Sequence, residues 1–138
     1  MSVERFVERQ KEYHEIALNE LKKGRKRSHW MWFIFPQVLG FGSSSMTIYF
    51  EIKTHEEILE YIHNEYLMNN YLELCNVLLE LKTNDPKDVF PHPDYLKLKS
   101  SLTLFYFATK NYTIRKVLDK FYDGELCEST IEILKLMN

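Results

Sequence analysis

The chain has 138 residues, of which 45% are hydrophobic and 28% charged, and its formal net charge at neutral pH is −2. A domain of this size buries enough apolar surface to fold without disulfides or structural metals. Glycine and proline together supply 8 residues, about half of the usual share of roughly 12%, which argues against a turn-rich β-sandwich and favours helices.

The first predicted element is a long amphipathic helix over residues 3–23. Its apolar side chains recur at helical spacing, and opposite charges pair on another face. Gly24 suits the position just after a helix, where a positive φ is needed. His14 lies on the apolar side of the helix and is interpreted as a core histidine.

A short second helix is predicted over residues 28–35, with Ser28 as its cap and Pro36 as its stop. A loop with two glycines and three successive serines follows over residues 37–45. Residues 46–53 are rich in β-branched and aromatic side chains, which allows a short extended segment. Because no partner strand is apparent, we interpret this segment as an ordered connection.

Thr54 and Glu57 have the spacing of a capping box, which predicts a third helix over residues 55–63. The proline-rich loop 83–93 has room for one helical turn near Lys87, and Asp94 is the predicted cap of the helix that follows it. The remaining helices are predicted over residues 67–82, 94–109, 113–122 and 128 to the C-terminus. The sequence therefore predicts that residues 1–138 form one compact all-α domain of six to seven helices.

Cys75 and Cys127 belong to no C-x-x-C pattern, and the histidines lack metal-ligand spacing. We expect free thiols, no metal and no cofactor. The N-terminus has no apolar region typical of a secretion signal, and the longest apolar run, residues 30–35, is far below the roughly 20 residues of a membrane span. These features predict a cytoplasmic monomer without a membrane partner.

Cations are concentrated near the N-terminus. Residues 1–27 carry eight cations and five anions, whereas residues 28–138 carry ten and fifteen, and five of the six positions 22–27 are basic. Both tryptophans follow directly. Basic side chains, a helix start and aromatic faces together are typical of sites that bind a phosphate on a flat group. The alternative is that Trp30, with Phe33 and Ile34 at helical spacing, belongs to the core and that the cations are solvated.

Two further segments bear on a possible site. His29 is the candidate general base, the alternative being a histidine bonded to a backbone carbonyl. Residues 96–103 combine two lysines with three hydroxyls on one helix, which can hold an anion or mark a close helix contact. The loop 40–45 lacks the pattern of a nucleoside triphosphatase.

We therefore expect a pocket for a small anionic molecule, such as a nucleotide or a phosphorylated metabolite; whether a reaction follows binding stays open. The candidate ligand-binding residues are Lys26, Arg27, Ser28, His29, Trp30, Trp32, Gln37, Ser44, Lys97, Lys99 and Ser100. The alternative is an interaction module whose aromatic and basic surface receives a partner protein. Five clustered cations in a net-acidic chain argue against nucleic acid.

Two long runs carry a family resemblance. Residues 24–37, which contain His-Trp-Met-Trp, and residues 94–105, supported by Phe6, Val7, Tyr13, Gly40 and the segment 44–46, resemble the family catalogued as domain of unknown function 1810. This resemblance implies a multihelical single domain and no established activity.

Some family members carry the label calpastatin, a calpain inhibitor. True calpastatins are flexible and aromatic-poor, whereas this chain has 14% aromatic residues and core periodicity throughout, so we interpret that label as inherited.

Overall fold

Nine helices are present in residues 3–138, the part of the chain that this computed structural model describes. In chain order they are α1 (Glu4–Lys22), α2 (Met31–Ile34), α3 (Ser45–Phe50), α4 (His55–Ile62), α5 (Glu65–Glu80), α6 (Pro86–Val89), α7 (Asp94–Thr109), α8 (Tyr112–Tyr122) and α9 (Glu128–Leu136). The all-α prediction is confirmed, and the predicted number of six to seven helices is wrong.

The two additional helices are short and begin at side-chain caps. α3 forms where an extended connection was predicted, because the Ser44 hydroxyl accepts a hydrogen bond from Thr47 N at 3.1 Å and starts a helical turn. α6 is the single turn for which the proline-rich loop had room, and the Asp85 carboxylate accepts from Lys87 N at 2.9 Å. In α3 the cap outweighs the β-propensity of the residues that follow it.

α1 ends in a hydrogen-bonded turn that sends the chain into the basic segment. Gly24 has a φ of +86°, and its N–H donates to the carbonyl of Leu21 at 2.9 Å. Arg25 N donates to the carbonyl of Glu20 at 3.1 Å, which completes a Schellman motif. The predicted role of Gly24 is confirmed.

Two predicted caps have other partners. The second helix is only one turn long, and Ser28 does not cap it because the Ser28 hydroxyl donates to the carboxylate of Glu20. Asp94 is the first residue of α7 and makes no capping hydrogen bond. Its carboxylate instead pairs with the ammonium of Lys26 at 2.9 Å.

The core lies where α1 and α5 pack together and where α7 packs against α4, α8 and α9. Aromatic rings fill it: Tyr71 contacts Phe35 and Phe105 with ring centroids 5.4 and 4.8 Å apart. The Tyr71 hydroxyl lies 2.9 Å from the Ser101 hydroxyl, so this buried phenol has a partner. Among residues 3–138 no helix is both long and apolar enough to cross a membrane.

Both cysteines are free, and Cys75 is buried in this core while Cys127 is half-buried. Burial raises the pKa of the Cys75 thiol, which keeps it protonated and unreactive. His14 is buried, as predicted, and its Nε2 lies 2.6 Å from Oε1 of Glu73. Its Nδ1 has no hydrogen-bond partner within the described residues.

Candidate functional site

A surface groove of about 1250 Å³ lies between α7, α9 and the segment that joins α2 to α3. Lys97 and Lys99 line it from the first two turns of α7. Gln37 and Phe41 line it from the α2–α3 segment. The groove therefore contains three of the predicted site residues, Gln37, Lys97 and Lys99, which lie far apart in the sequence.

Gln37 is positioned by backbone pairing with the segment that follows α3. The Gln37 carbonyl accepts from Ile52 N at 3.0 Å, and Leu39 N donates to the Ile52 carbonyl at 3.0 Å, on either side of an isolated parallel bridge between Val38 and Ile52. This pairing fixes the backbone of Gln37. Its side-chain carboxamide makes no hydrogen bond with another described residue, so its donor and its acceptor are both unpaired within the described part of the chain.

Lys97 lies beside Trp32, a predicted site residue that is not part of the lining of the groove. Its Nζ lies 5.7 Å from the centroid of the Trp32 ring, and Trp32 is half-buried. Within residues 3–138 Lys97 makes no ion pair, so its ammonium has the ring as a neighbour and no carboxylate. A cation over an indole is held in place without being neutralised.

Lys99 has both an aromatic and an acidic neighbour. Its Nζ lies 6.0 Å from the centroid of the Tyr122 ring and 3.4 Å from Oε1 of Glu125. Glu125 belongs to the segment that joins α8 to α9. The two groove lysines thus differ, because one carries a carboxylate partner and the other does not.

The part of the lining that comes from α9 and the segment before it is acidic. Glu125, Glu128 and Glu132 line the groove, and Glu132 also lies 3.4 Å from the ammonium of Lys135. Apolar side chains complete the lining: Phe41, Leu96, Leu126 and Ile131. The lining of the groove accordingly combines two lysines, three glutamates and several apolar side chains.

Lys26 and Trp30, both predicted to bind ligand, are buried and have partners within the chain. The Lys26 ammonium pairs with Asp94 and donates to the Ser28 carbonyl at 2.6 Å, and it lies 5.0 Å from the centroid of Trp30. The Trp30 indole N–H donates to Oε1 of Glu20 at 2.9 Å. Trp30 is therefore a core residue, as the alternative interpretation of the sequence had it.

Three other predicted residues of the basic loop lie outside the lining of the groove. Arg27 and His29 have exposed side chains. Ser28 donates hydrogen bonds from its N–H and its hydroxyl to the carboxylate of Glu20. Arg25, from the same run, donates to the carbonyls of Lys87 and Asp88. Much of the basic segment is thus hydrogen-bonded or ion-paired with carbonyl and carboxylate groups from other parts of the chain.

The hydroxyls of α7 hold α9 against it. Ser100 is buried, and its hydroxyl lies 2.8 Å from that of Thr130. The Thr103 hydroxyl donates to the Lys99 carbonyl and accepts from Cys127 N at 2.9 Å. Ser100 therefore belongs to the close helix contact that was the alternative interpretation, and Ser44 is the cap of α3.

The contribution of α9 to the groove was not predicted from the sequence. Glu128 and Glu132 are one helical turn apart, and this spacing alone predicts that they share a face of α9. No pattern in the sequence, however, predicts that α9 lies beside α7. Across residues 3–138 no three histidine, cysteine or acidic side chains are grouped so that they could hold a metal ion.

Fold and groove together define an all-helical protein with a charged, partly apolar surface groove. The chain belongs to the family described as protein of unknown function (DUF1810), whose model matches residues 1–134. No curated protein matches it. It is similar to the crystal structure of the conserved hypothetical protein Rv1873 from Mycobacterium tuberculosis, with 36% sequence identity, a TM-score of 0.92 and 96% of each chain covered. The predicted family is thus confirmed.

Proposed function

We propose that the groove binds a small molecule that carries one anionic group, of the class of nucleotides or phosphorylated metabolites. The observation that carries this proposal is Lys97, a lining residue of the groove whose ammonium lies beside the Trp32 ring and has no carboxylate partner among the described residues. An ammonium in such a position forms a charge-assisted hydrogen bond to a phosphate or carboxylate oxygen. Lys99 lies on the same wall.

The rest of the lining supports a ligand with a flat or apolar body. Phe41 and Leu96 provide apolar contact, and Trp32 offers a ring beside Lys97. The free carboxamide of Gln37 can donate and accept hydrogen bonds, which suits a base edge or a sugar hydroxyl. Small-molecule sites typically combine such an apolar lining with a few polar groups.

The charge balance of the groove favours one phosphate over several. Two lysines share the lining with Glu125, Glu128 and Glu132, so each further negative charge on the ligand is repelled by these carboxylates. We therefore expect nucleoside monophosphates to bind more tightly than triphosphates.

The proposal uses four of the predicted site residues: Trp32, Gln37, Lys97 and Lys99. The exposed side chain of His29 does not line the groove, so no catalytic step is assigned to it. The proposed function is binding, and a cytoplasmic location is part of the same hypothesis.

A thermal-shift panel tests this proposal. It compares nucleoside monophosphates, nucleoside triphosphates and sugar phosphates with the corresponding neutral nucleosides and sugars. A true ligand at 100 times its Kd stabilises the fold by about 2.7 kcal/mol, which raises Tm by several degrees. Phosphates that leave Tm unchanged across the whole panel would disprove the proposal.

A protein-interaction module is the second candidate. Leu96 supports it, because this large apolar side chain is 49% exposed and lines the same groove. Under this candidate the wild-type protein captures a partner that Leu96→Glu does not capture, and the phosphate panel gives no response.

A further inference from the structure

An ion pair joins Lys99 of α7 to Glu125 of the α8–α9 segment, and both residues line the groove. Their charged atoms are 3.4 Å apart, and the two side chains differ in exposure: Lys99 is 23% exposed and Glu125 is 74% exposed. Because the carboxylate is largely in water, the pair contributes little to the stability of the fold. The ammonium is the more fixed partner, since it also lies over the ring of Tyr122.

The backbone beside Glu125 is held by hydrogen bonds, whereas its side chain is 74% exposed and has Lys99 as its ion-pair partner. Glu125 N donates to the Tyr122 carbonyl at 3.0 Å, and Gly124 N donates to the Leu118 carbonyl at 3.1 Å. The Arg115 guanidinium donates to the Gly124 carbonyl at 3.3 Å. The carboxylate can therefore leave Lys99 by side-chain rotation alone.

We infer that Glu125 is an intramolecular competitor for the ligand, with its carboxylate occupying the position at Lys99 that the ligand's anionic group takes. This inference rests on the proposed function, because it concerns the same groove and the same class of ligand. A carboxylate and a phosphate oxygen make the same kind of contact with an ammonium, so each excludes the other. Lys97, which has no such competitor among the described residues, receives the anion without displacing a carboxylate.

Competition by the Glu125 carboxylate also restricts which molecules can bind at Lys99. A neutral molecule does not displace Glu125 from Lys99, whereas a doubly charged phosphate monoester competes with the single charge of the carboxylate for that ammonium. In the absence of ligand, Glu125 keeps the half-buried Lys99 ammonium neutralised. The groove thus discriminates against neutral analogues of its ligand.

The test is a calorimetric titration of the wild type, Glu125→Gln and Glu128→Gln with adenosine monophosphate, and with inorganic phosphate as a second probe, at low ionic strength. Both variants remove one negative charge from the groove, but only Glu125 contacts Lys99. Glu125 is mostly exposed, so the fold is preserved, which the Tm of each variant verifies. We expect Glu125→Gln to lower the Kd by roughly three- to tenfold and Glu128→Gln to lower it less.

Two outcomes overturn the inference, and they are distinguishable. If the wild type binds and Glu125→Gln binds no more tightly than Glu128→Gln, Glu125 is not a competitor and the proposed function stands. If neither the wild type nor either variant binds any phosphate probe, the proposed function and the inference both fail.

Discussion

Glu20 shows at the scale of one residue how the loop after α1 is fixed. Its carboxylate accepts hydrogen bonds from Arg27 N at 2.8 Å, Ser28 N at 3.0 Å, the Ser28 hydroxyl and the Trp30 indole at 2.9 Å. Partial burial by itself raises the pKa of Glu20, but these four hydrogen bonds outweigh it and lower the pKa from 4.5 to about 2. The ionised form is therefore the one that holds the loop.

Replacing Glu20 by glutamine is expected to destabilise the fold in a pH-dependent way. Because the folded-state pKa is lowered, the stabilisation is fully present above pH 4.5 and is lost as the pH falls towards 2. At pH 7 we expect a loss of about 1–2 kcal/mol in the free energy of unfolding, because solvent screens this partly exposed carboxylate. Urea denaturation at pH 7 and at pH 3 measures it, and the difference between wild type and variant shrinks at pH 3.

Glu12→Gln is the matched control for Glu20, because Glu12 is exposed on the same helix. It leaves the free energy of unfolding unchanged at both pH values. Equal effects of the two substitutions, or a Glu20 effect that does not change with pH, would contradict the role assigned to the Glu20 carboxylate.

At the scale of the element, α7 explains why two lysines reach the groove. Its buried residues begin at Leu98 and run through residues 100–105, where α4, α8 and α9 surround the helix. Lys97 and Lys99 lie at its N-terminal end, where α9 and the α2–α3 segment leave one side open to solvent. The same helix therefore supplies both the centre of the core and one wall of the groove.

A substitution at the start of α3 distinguishes a structural role of Ser44 from a role in ligand binding. Ser44 was a candidate ligand residue, and the structure gives it the role of N-cap. Ser44→Ala is expected to lower the free energy of unfolding by about 1 kcal/mol and to leave the Kd for adenosine monophosphate unchanged. Ser43→Ala, which removes a neighbouring exposed hydroxyl outside the cap, is the control. A weaker Kd without a loss of stability would instead assign Ser44 to the ligand.

At the scale of the whole molecule, helical periodicity predicted most of the fold. The expected boundaries of α1, α4, α5, α7, α8 and α9 agree with the structure to within a few residues, because each helix buries one apolar stripe or more. α3 was not predicted, since a single serine cap outweighed the strand propensity of the residues after it.

The candidate site was only partly predictable, because its walls come from distant parts of the chain. The sequence selected Gln37, Lys97 and Lys99, but it grouped them with Lys26 and Trp30, which the fold buries against Asp94 and Glu20. No local pattern reveals such long-range partners. A run of like charges therefore does not say which of its members face solvent.

The most direct test of the account is a calorimetric titration of adenosine monophosphate into the wild type, Lys97→Met and Lys116→Met. Lys116 is a matched control because its ammonium also lies over an aromatic ring, 5.1 Å from the centroid of Tyr112, but outside the groove. We predict that Lys97→Met weakens binding by about tenfold or more, the loss of one charge-assisted hydrogen bond, and that Lys116→Met binds like the wild type. Equal affinities for all three folded proteins would contradict the assignment of the groove as an anion-binding site.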